Sequence, residues 1–441
     1  MILVYTHKIS GRVNYIFRHL FNNILQKEVK FTTKIEEFIA YNGPKFSYSP
    51  KALGNEFHIT PHPILFQQGI KHQFIQFSFW NDIPIFFQTS DSDLPFDIFS
   101  ASFYLLSRYE EYIPHRKDKH DRYFHKDSIL SLQGILNQPI IEIWTEAFKK
   151  SLQERFPDLI FEKRRFYFEP LINVSMARLY KHKAFLRHLF GGLRDLFSLK
   201  LRLFWLRQQV FWGNKKDPYD TFDFILQLKK KYNHPLTFFH LLAPYSLFDH
   251  NISRNNKVYQ TQLKYLADYA DVGILTSYYA MENEENILEE VNFLEKIIHK
   301  PIVKVRAHFN RIKIPDTYQH YLEAGLTKDY SMGYNAKIGY RAGTSIPFYF
   351  YDIENETQTS LLVHPTVISD IMLRYLYKLK PEKALEILID QGEQIRKYGG
   401  NFHPVFHNFI LTDLPYWKEW NKIYIETIKH FSPLNTVKND I

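Results

Sequence analysis

From Phe166 onward the chain alternates between short apolar runs of β type and stretches whose apolar residues recur at helical spacing. Strands are predicted at Phe168–Ser175, Leu236–Leu242, Val272–Leu275, Val303–Phe309, Lys328–Ser331, Leu361–Val363 and Phe402–Phe406. Helices are predicted between them. One spans Pro218–Tyr232, with Asp217 as N-cap and Pro218 in the first helical position. Others span Gln260–Tyr269, Ile287–Ile298, Pro315–Glu323 ended by Gly325, and Pro381–Tyr398 stopped by Gly399 and Gly400. Strands alternating with helices imply parallel strands joined by right-handed crossovers. Seven such units predict an α/β fold whose C-terminal part is an irregular β/α barrel. In such a barrel, chemistry gathers at the C-terminal strand ends, where Ser175, Leu275, His308 and His407 lie.

The part before Pro157 is mixed. Ile75–Phe79 and Ile83–Phe87 read as strands around a turn at Asn81 and Asp82, and 98–111 reads as a helix preceded by turn chemistry at 94–97. His115–Arg122 reads as a polar surface loop, and a further helix begins within Gly134–Phe148. The charged segment 156–165 is the predicted boundary, giving a smaller mixed α/β domain over 1–160 and the barrel over 166–441.

A chain of 441 residues predicts two cores. Hydrophobic residues at 45% supply ample material to bury and argue against wholesale disorder. Its 39 Phe and 30 Tyr serve either as core or as stacking platforms for sugar rings, and composition does not separate the two. The net charge of +9 favours anionic partners in general, but no nucleic-acid module, Walker loop or zinc-finger spacing occurs, so nucleic acid is not an expected partner. With no cysteine, disulfides and thiolate metal sites are excluded. Met1–Lys8 lacks the apolar run of a secretory signal, and no window approaches the roughly 18 apolar residues that span a bilayer. A cytoplasmic protein is expected, peripheral to the inner membrane if it touches one.

Four words carry a family resemblance: Lys328-Asp329-Tyr330-Ser331-Met332-Gly333-Tyr334, Gly339-Tyr340-Arg341-Ala342-Gly343-Thr344-Ser345, Val305-Arg306-Ala307-His308-Phe309 and Phe406-His407-Asn408. Together they resemble the C-terminal domain of polysaccharide-deacetylase-like (NodB-homology) proteins of Bacteroidetes. The words Leu94-Pro95-Phe96-Asp97, Leu105-Leu106-Ser107-Arg108-Tyr109-Glu110-Glu111-Tyr112, Asp118-Lys119-His120 and Leu136-Asn137-Gln138-Pro139 resemble the companion domain that precedes it, which has no assigned function.

The resemblance implies a barrel and a cell-surface carbohydrate or glycolipid precursor as partner. It also implies hydrolysis of an acetyl group by a divalent metal held by a carboxylate and two imidazoles, with a carboxylate base and a histidine acid. Here the acidic motif of the first barrel strand reads Asn173 and Ser175, and Leu275 replaces a metal-binding histidine. An amide is no base, and a hydroxyl is a poor zinc ligand. No resident cofactor is therefore expected, with zinc as the alternative. By resemblance His407 is the catalytic acid and Arg306 the residue that orients the base. Asp329 joins them as a catalytic candidate. Arg341 reaches toward substrate or braces its loop, and His308, Tyr330, Tyr334 and Asn408 are further substrate-binding candidates. A rearranged metal set of His308, His364 and His407 with Asp329 or Asp370 has no diagnostic spacing.

His58, His62, His115, His120 and His125 are read as ordinary surface-loop residues. Residues 185–212 mix Arg187, His188, Arg194, Lys200, Arg202 and Arg207 with Leu, Phe and Trp. That basic amphipathic pattern either packs on the barrel, the favoured reading, or lies on an anionic membrane. The expected function is that of a deacetylase-like protein of cell-surface carbohydrate metabolism, weak or inactive as a deacetylase; the alternatives are an active carbohydrate N- or O-deacetylase with rearranged ligands, and a glycan-binding or scaffold protein that breaks no bond.

Overall fold

In the computed structural model, which describes residues 1–183 and 185–432, the chain enters a sheet at its second residue. β1 (Ile2–Thr6), β2 (Val29–Thr32), β3 (Lys45–Tyr48) and β4 (Phe57–Ile59) pair in the order β2-β1-β3-β4, all parallel. This sheet is not among the elements that the sequence predicts. Helices Gly11–Arg18, Ile98–Leu106 and Ile140–Arg155 send aromatic side chains onto it. Phe17 stacks on Phe99 at 3.6 Å, and Phe148 meets Phe46 and Phe99 edge-on. Much of the aromatic load is therefore core here. The Asp97 carboxylate caps helix Ile98–Leu106 by accepting from the N–H groups of Phe99 and Ser100. β5 (Ser78–Trp80) and β6 (Ile83–Ile85) form the expected hairpin, with Asn81 and Asp82 both at positive φ. The helix sought within 134–148 starts at Ile140, because Gly134 turns in the left-handed region and Pro139 precedes the first turn.

β7 (Tyr167–Phe168) then leads into the second sheet through β8 (Leu171–Val174). β9 (Thr237–Leu241), β10 (Asp271–Thr276), β11 (Lys304–Ala307) and β12 (Lys328–Asp329) follow, each reached through a helical crossover. β13 (Phe348–Asp352) and β14 (Thr357–Val363) make an antiparallel hairpin, of which sequence analysis saw only the end of β14. β15 (Asn401–Phe402) pairs with β7, and β16 (Val405–His407) completes the set. The order is β13-β14-β12-β11-β10-β9-β8-β16. Residues 364–369 close it. The His364 N–H donates to Asp329 O and the Thr366 N–H to Met332 O, while Ser369 bridges Val405. The result is the irregular β/α barrel the periodicity predicts.

Inside the barrel, Leu171, Phe239, Leu241, Leu275, Tyr330 and Val405 form their own buried cluster. A second, far larger cluster runs from Ile2 to Phe431 through both halves of the chain. The two cores predicted from length are thus continuous across the boundary. The reason is the β13–β14 hairpin, whose Tyr351 packs on Tyr15 and Phe103.

Two local expectations change. Asp217 is no N-cap: it accepts from the N–H groups of Leu179, Tyr180, Lys181 and Tyr219, and the helix starts later, at Phe222. Residues 185–212 form two helices, Phe185–Phe197 and Leu201–Phe211; Leu206 and Val210 pack inward, but most of the large apolar side chains stay exposed rather than covering the barrel. No helix among the described residues is long and apolar enough to cross a membrane.

Candidate functional site

Strand alternation decides what reaches the barrel mouth. In β16, Phe406 points outward onto Tyr424, so His407 points inward beside its register partner Asn173 of β8. In β11, Val305 is in register with Asp329 and Arg306 with Leu275. Arg306 therefore shares the inner face, and Asp329 the outer one.

These inward groups open into a cavity of about 610 Å³ lined by Asn173, Ser175, Arg306, His308 and His407 among others. Two imidazoles are oriented there by aspartates. His407 Nδ1 lies 2.7 Å from Asp370 Oδ1, and its main-chain N–H donates to Asp370 Oδ2 at 2.7 Å. Its Nε2 is left to face the Asn173 amide nitrogen at 3.4 Å. His308 Nδ1 lies 2.9 Å from Asp249 Oδ1, and Asp249 is in turn held by the Tyr278 N–H and the Ser246 hydroxyl. Burial lowers the pKa of His308, against the opposing pull of Asp249, so its imidazole is neutral near pH 7. Burial also lowers the Arg306 guanidinium to about 10. Arg306 donates to Tyr330 O and to Asn310 Oδ1, while its Nε has no partner.

The rim is strained and crossed by the N-terminal half. Phe309 and Asn310 both sit at positive φ, at a cost on the order of 1 kcal/mol each. The Phe309 carbonyl compensates by accepting from Arg122 Nη1 and Asn335 Nδ2, each at 2.6 Å. Arg122 is itself clamped to Asp118, and His120 Nδ1 meets the Tyr278 hydroxyl at 2.9 Å. His120, Arg122 and His125 thus line the cavity, which corrects their reading as ordinary loop residues. Phe248 stacks on Tyr278 at 3.9 Å, and Phe248, Phe309 and Phe409 add aromatic faces.

Other predicted residues lie elsewhere. Asp329 accepts from the Tyr318 hydroxyl and the Ser331 N–H between sheet and helix, fully buried, and desolvation raises its pKa. It does not face the cavity. Tyr330 stacks on His364 at 4.4 Å in the barrel interior, below the mouth. Asn408 donates to Met176 O and Tyr219 O and so pins two loops. Leu275 packs among the apolar interior residues.

Arg341 is turned away from the cavity. It binds Glu111 with both Nε and Nη2, at 2.8 and 2.5 Å, and Arg108 completes the cluster. Burial alone would raise the Glu111 carboxyl, but the two guanidiniums hold it at about 2. Around it, a Cβ on Gly343 (φ +70°) would meet Leu105 at 2.8 Å, and Ser345 donates twice to Glu142. The loop 339–345 is therefore the seam between the two halves, which is the bracing alternative. Tyr334 lies beside Arg341, its ring 5.8 Å from the guanidinium.

His308 and His407 share the cavity, but His364 lies in the barrel interior with neither ring nitrogen bonded, and Asp329 faces outward. No group of three His, Asp or Glu among the described residues is arranged to hold a metal ion. No spacing in the sequence marks Asp249, and Asp370 is visible there only as a partner for a metal ion.

Comparison with known proteins adds five findings. Residues 2–157 match the model of a family of unknown function, DUF7033. No curated protein matches the chain. Among solved structures, a candidate polysaccharide deacetylase from Mycobacterium smegmatis is 12% identical, with a TM-score of 0.41 over 62% of this chain and 86% of that one. A polysaccharide deacetylase, so described as probable, from Pseudomonas aeruginosa is 15% identical, with a TM-score of 0.37 over 60% and 84%. A mutant CE4-family pseudoenzyme with restored activity is 8% identical, with a TM-score of 0.31 over 61% and 64%.

Proposed function

We propose that this chain is a polysaccharide-deacetylase-like barrel whose mouth binds a carbohydrate or glycolipid precursor and does not cleave acetyl groups by the metal-dependent route. One observation carries this reading. Asn173 and Ser175 line the mouth beside Arg306 and the His407–Asp370 pair, and Leu275 packs in the interior below, at positions where the family resemblance implies carboxylates and an imidazole. An amide, a hydroxyl and an alkyl group give zinc no anionic ligand beside the His308 and His407 imidazoles and do not fit it, and no step is derived through it.

What remains suits a sugar. Apolar ring faces of Phe248, Phe309 and Phe409 border the cavity, with Arg306, His308 and His407 as its hydrogen-bonding groups. Asp329, Tyr330, Tyr334, Arg341 and Asn408 act from behind, by holding strands, loops and the seam. A second reading is favoured by the pairing of both imidazoles with aspartates. His407 and His308 would then serve as acid and base for a metal-independent hydrolysis.

Glycan-array binding tests the first reading: His308→Ala and His407→Ala are expected to weaken binding while leaving the fold intact, and unchanged binding counts against this cavity. Acetate release in the presence of a chelator, lost in both variants, would establish the second.

A further inference from the structure

The helical hairpin 185–211 is built inside out. Its polar groups face each other: Arg207 Nε lies 2.9 Å from Asp195 Oδ2, and His188 stacks on Phe211 at 3.9 Å while its Nε2 meets Gln208. Asp195, His188 and Arg207 are all buried. Gly191 permits this approach, since a Cβ there would lie 2.6 Å from Arg207 Nη1. Leu206 and Val210 pack inward, but most of its large apolar side chains face outward. Phe190, Phe197, Leu199 and Trp205 are each more than 60% exposed, and Leu189, Leu193 and Leu196 flank them. In water, a hairpin this short has no reason to bury its charges and display its leucines.

Charge identifies the medium. Residues 181–216 contain nine Lys or Arg and one acid, Asp195, so this segment carries eight of the chain's nine net positive charges. Asp195 is neutralised by Arg207, and Arg194, Lys200 and Arg202 stand exposed beside the apolar side chains. Exposed Trp205 and Trp212 add the residue type that prefers the headgroup level.

We propose that the outer face of this hairpin docks on an anionic lipid bilayer, with its Leu, Phe and Trp side chains in the acyl boundary and its cations among the headgroups. A second copy of the chain carries the same cations and would bring them together, so charge argues against self-association as the cover. The hairpin leaves the sheet at the mouth end of β8, and its seat on lipid brings that end of the barrel toward the headgroups.

Vesicle co-sedimentation of the full chain tests this independently of sugar binding. Vesicles of phosphatidylglycerol and phosphatidylcholine should retain the protein at least about tenfold better than phosphatidylcholine alone, and salt should weaken retention. The triple changes Phe190→Glu/Leu193→Glu/Phe197→Glu and Arg194→Glu/Lys200→Glu/Arg202→Glu should each reduce retention about tenfold, with circular dichroism and melting unchanged. Equal retention by both vesicle types, retention unaffected by either triple change, or self-association abolished by the first triple change would overturn the proposal. If the triple variants misfold, single changes at Leu199 and Trp205 to Glu give the same readout.

Discussion

His407 and Asp370 are joined twice, ring nitrogen to one carboxylate oxygen and main-chain N–H to the other, both at 2.7 Å. The double link leaves the ring one tautomer, with the proton on Nδ1 and the lone pair of Nε2 turned to the cavity. Asp370→Asn should release that tautomer, seen as a mixed pattern in long-range nitrogen–proton spectra of the histidine rings. Glycan affinity should fall about tenfold. A spectrum unchanged by the substitution would place the ring's orientation elsewhere.

Arg341→Ala should destabilise the fold by about 3 kcal/mol, since Glu111 is left buried with Arg108 alone. Chemical denaturation reads this, and the folded fraction should bind glycan as the parent does. Weaker binding at full stability would return Arg341 to the cavity.

Glu290 is buried beside Ser277, and desolvation raises its carboxyl to about 8. Glu142 is likewise raised, to about 7. Both therefore hold protons in the folded state that the unfolded chain has released. Their stabilisation is complete below the unfolded carboxyl pKa and is lost as pH rises through 7 and 8. Relative to Glu290→Gln and Glu142→Gln, the parent should lose melting temperature between pH 5 and pH 8.5. A gap between parent and variant that stays constant with pH would contradict this.

Arg122 reaches from the N-terminal half to the Phe309 carbonyl on the cavity rim. Removing one net hydrogen bond costs about 1 kcal/mol, or about fivefold in affinity if the rim must be held to bind. Arg122→Ala should therefore weaken glycan binding about fivefold by calorimetry. Equal affinity would make the crossing loop a bystander.

The barrel was legible because its strands and helices differ in period, and two helix ends carried their own signal, at Gly325 and Gly399. The placement of His308, His407 and Arg306 at the barrel mouth was legible because strand ends and alternation set it. That Asp329 takes the outer face was not legible: a strand of two residues has no pattern to show which face a side chain takes. For Arg341 the sequence left two roles open, reaching toward substrate or bracing its loop, and could not choose between them. Its partner Glu111 lies 230 residues away, and the residues resembling the companion domain, 105–112 and 136–139, turn out to form the other side of the same seam. Asp249 and the rim residues His120 and Arg122 come from loops, where only tertiary contact shows that a charge is shared.

Acetate release from an acetylated chitooligosaccharide, measured with metal content on the same preparation after incubation with zinc, cobalt or nickel, tests the central claim most directly. The account predicts substoichiometric metal after dialysis and no metal-dependent acetate. One metal ion per chain, with acetate release abolished by His407→Ala, would contradict it.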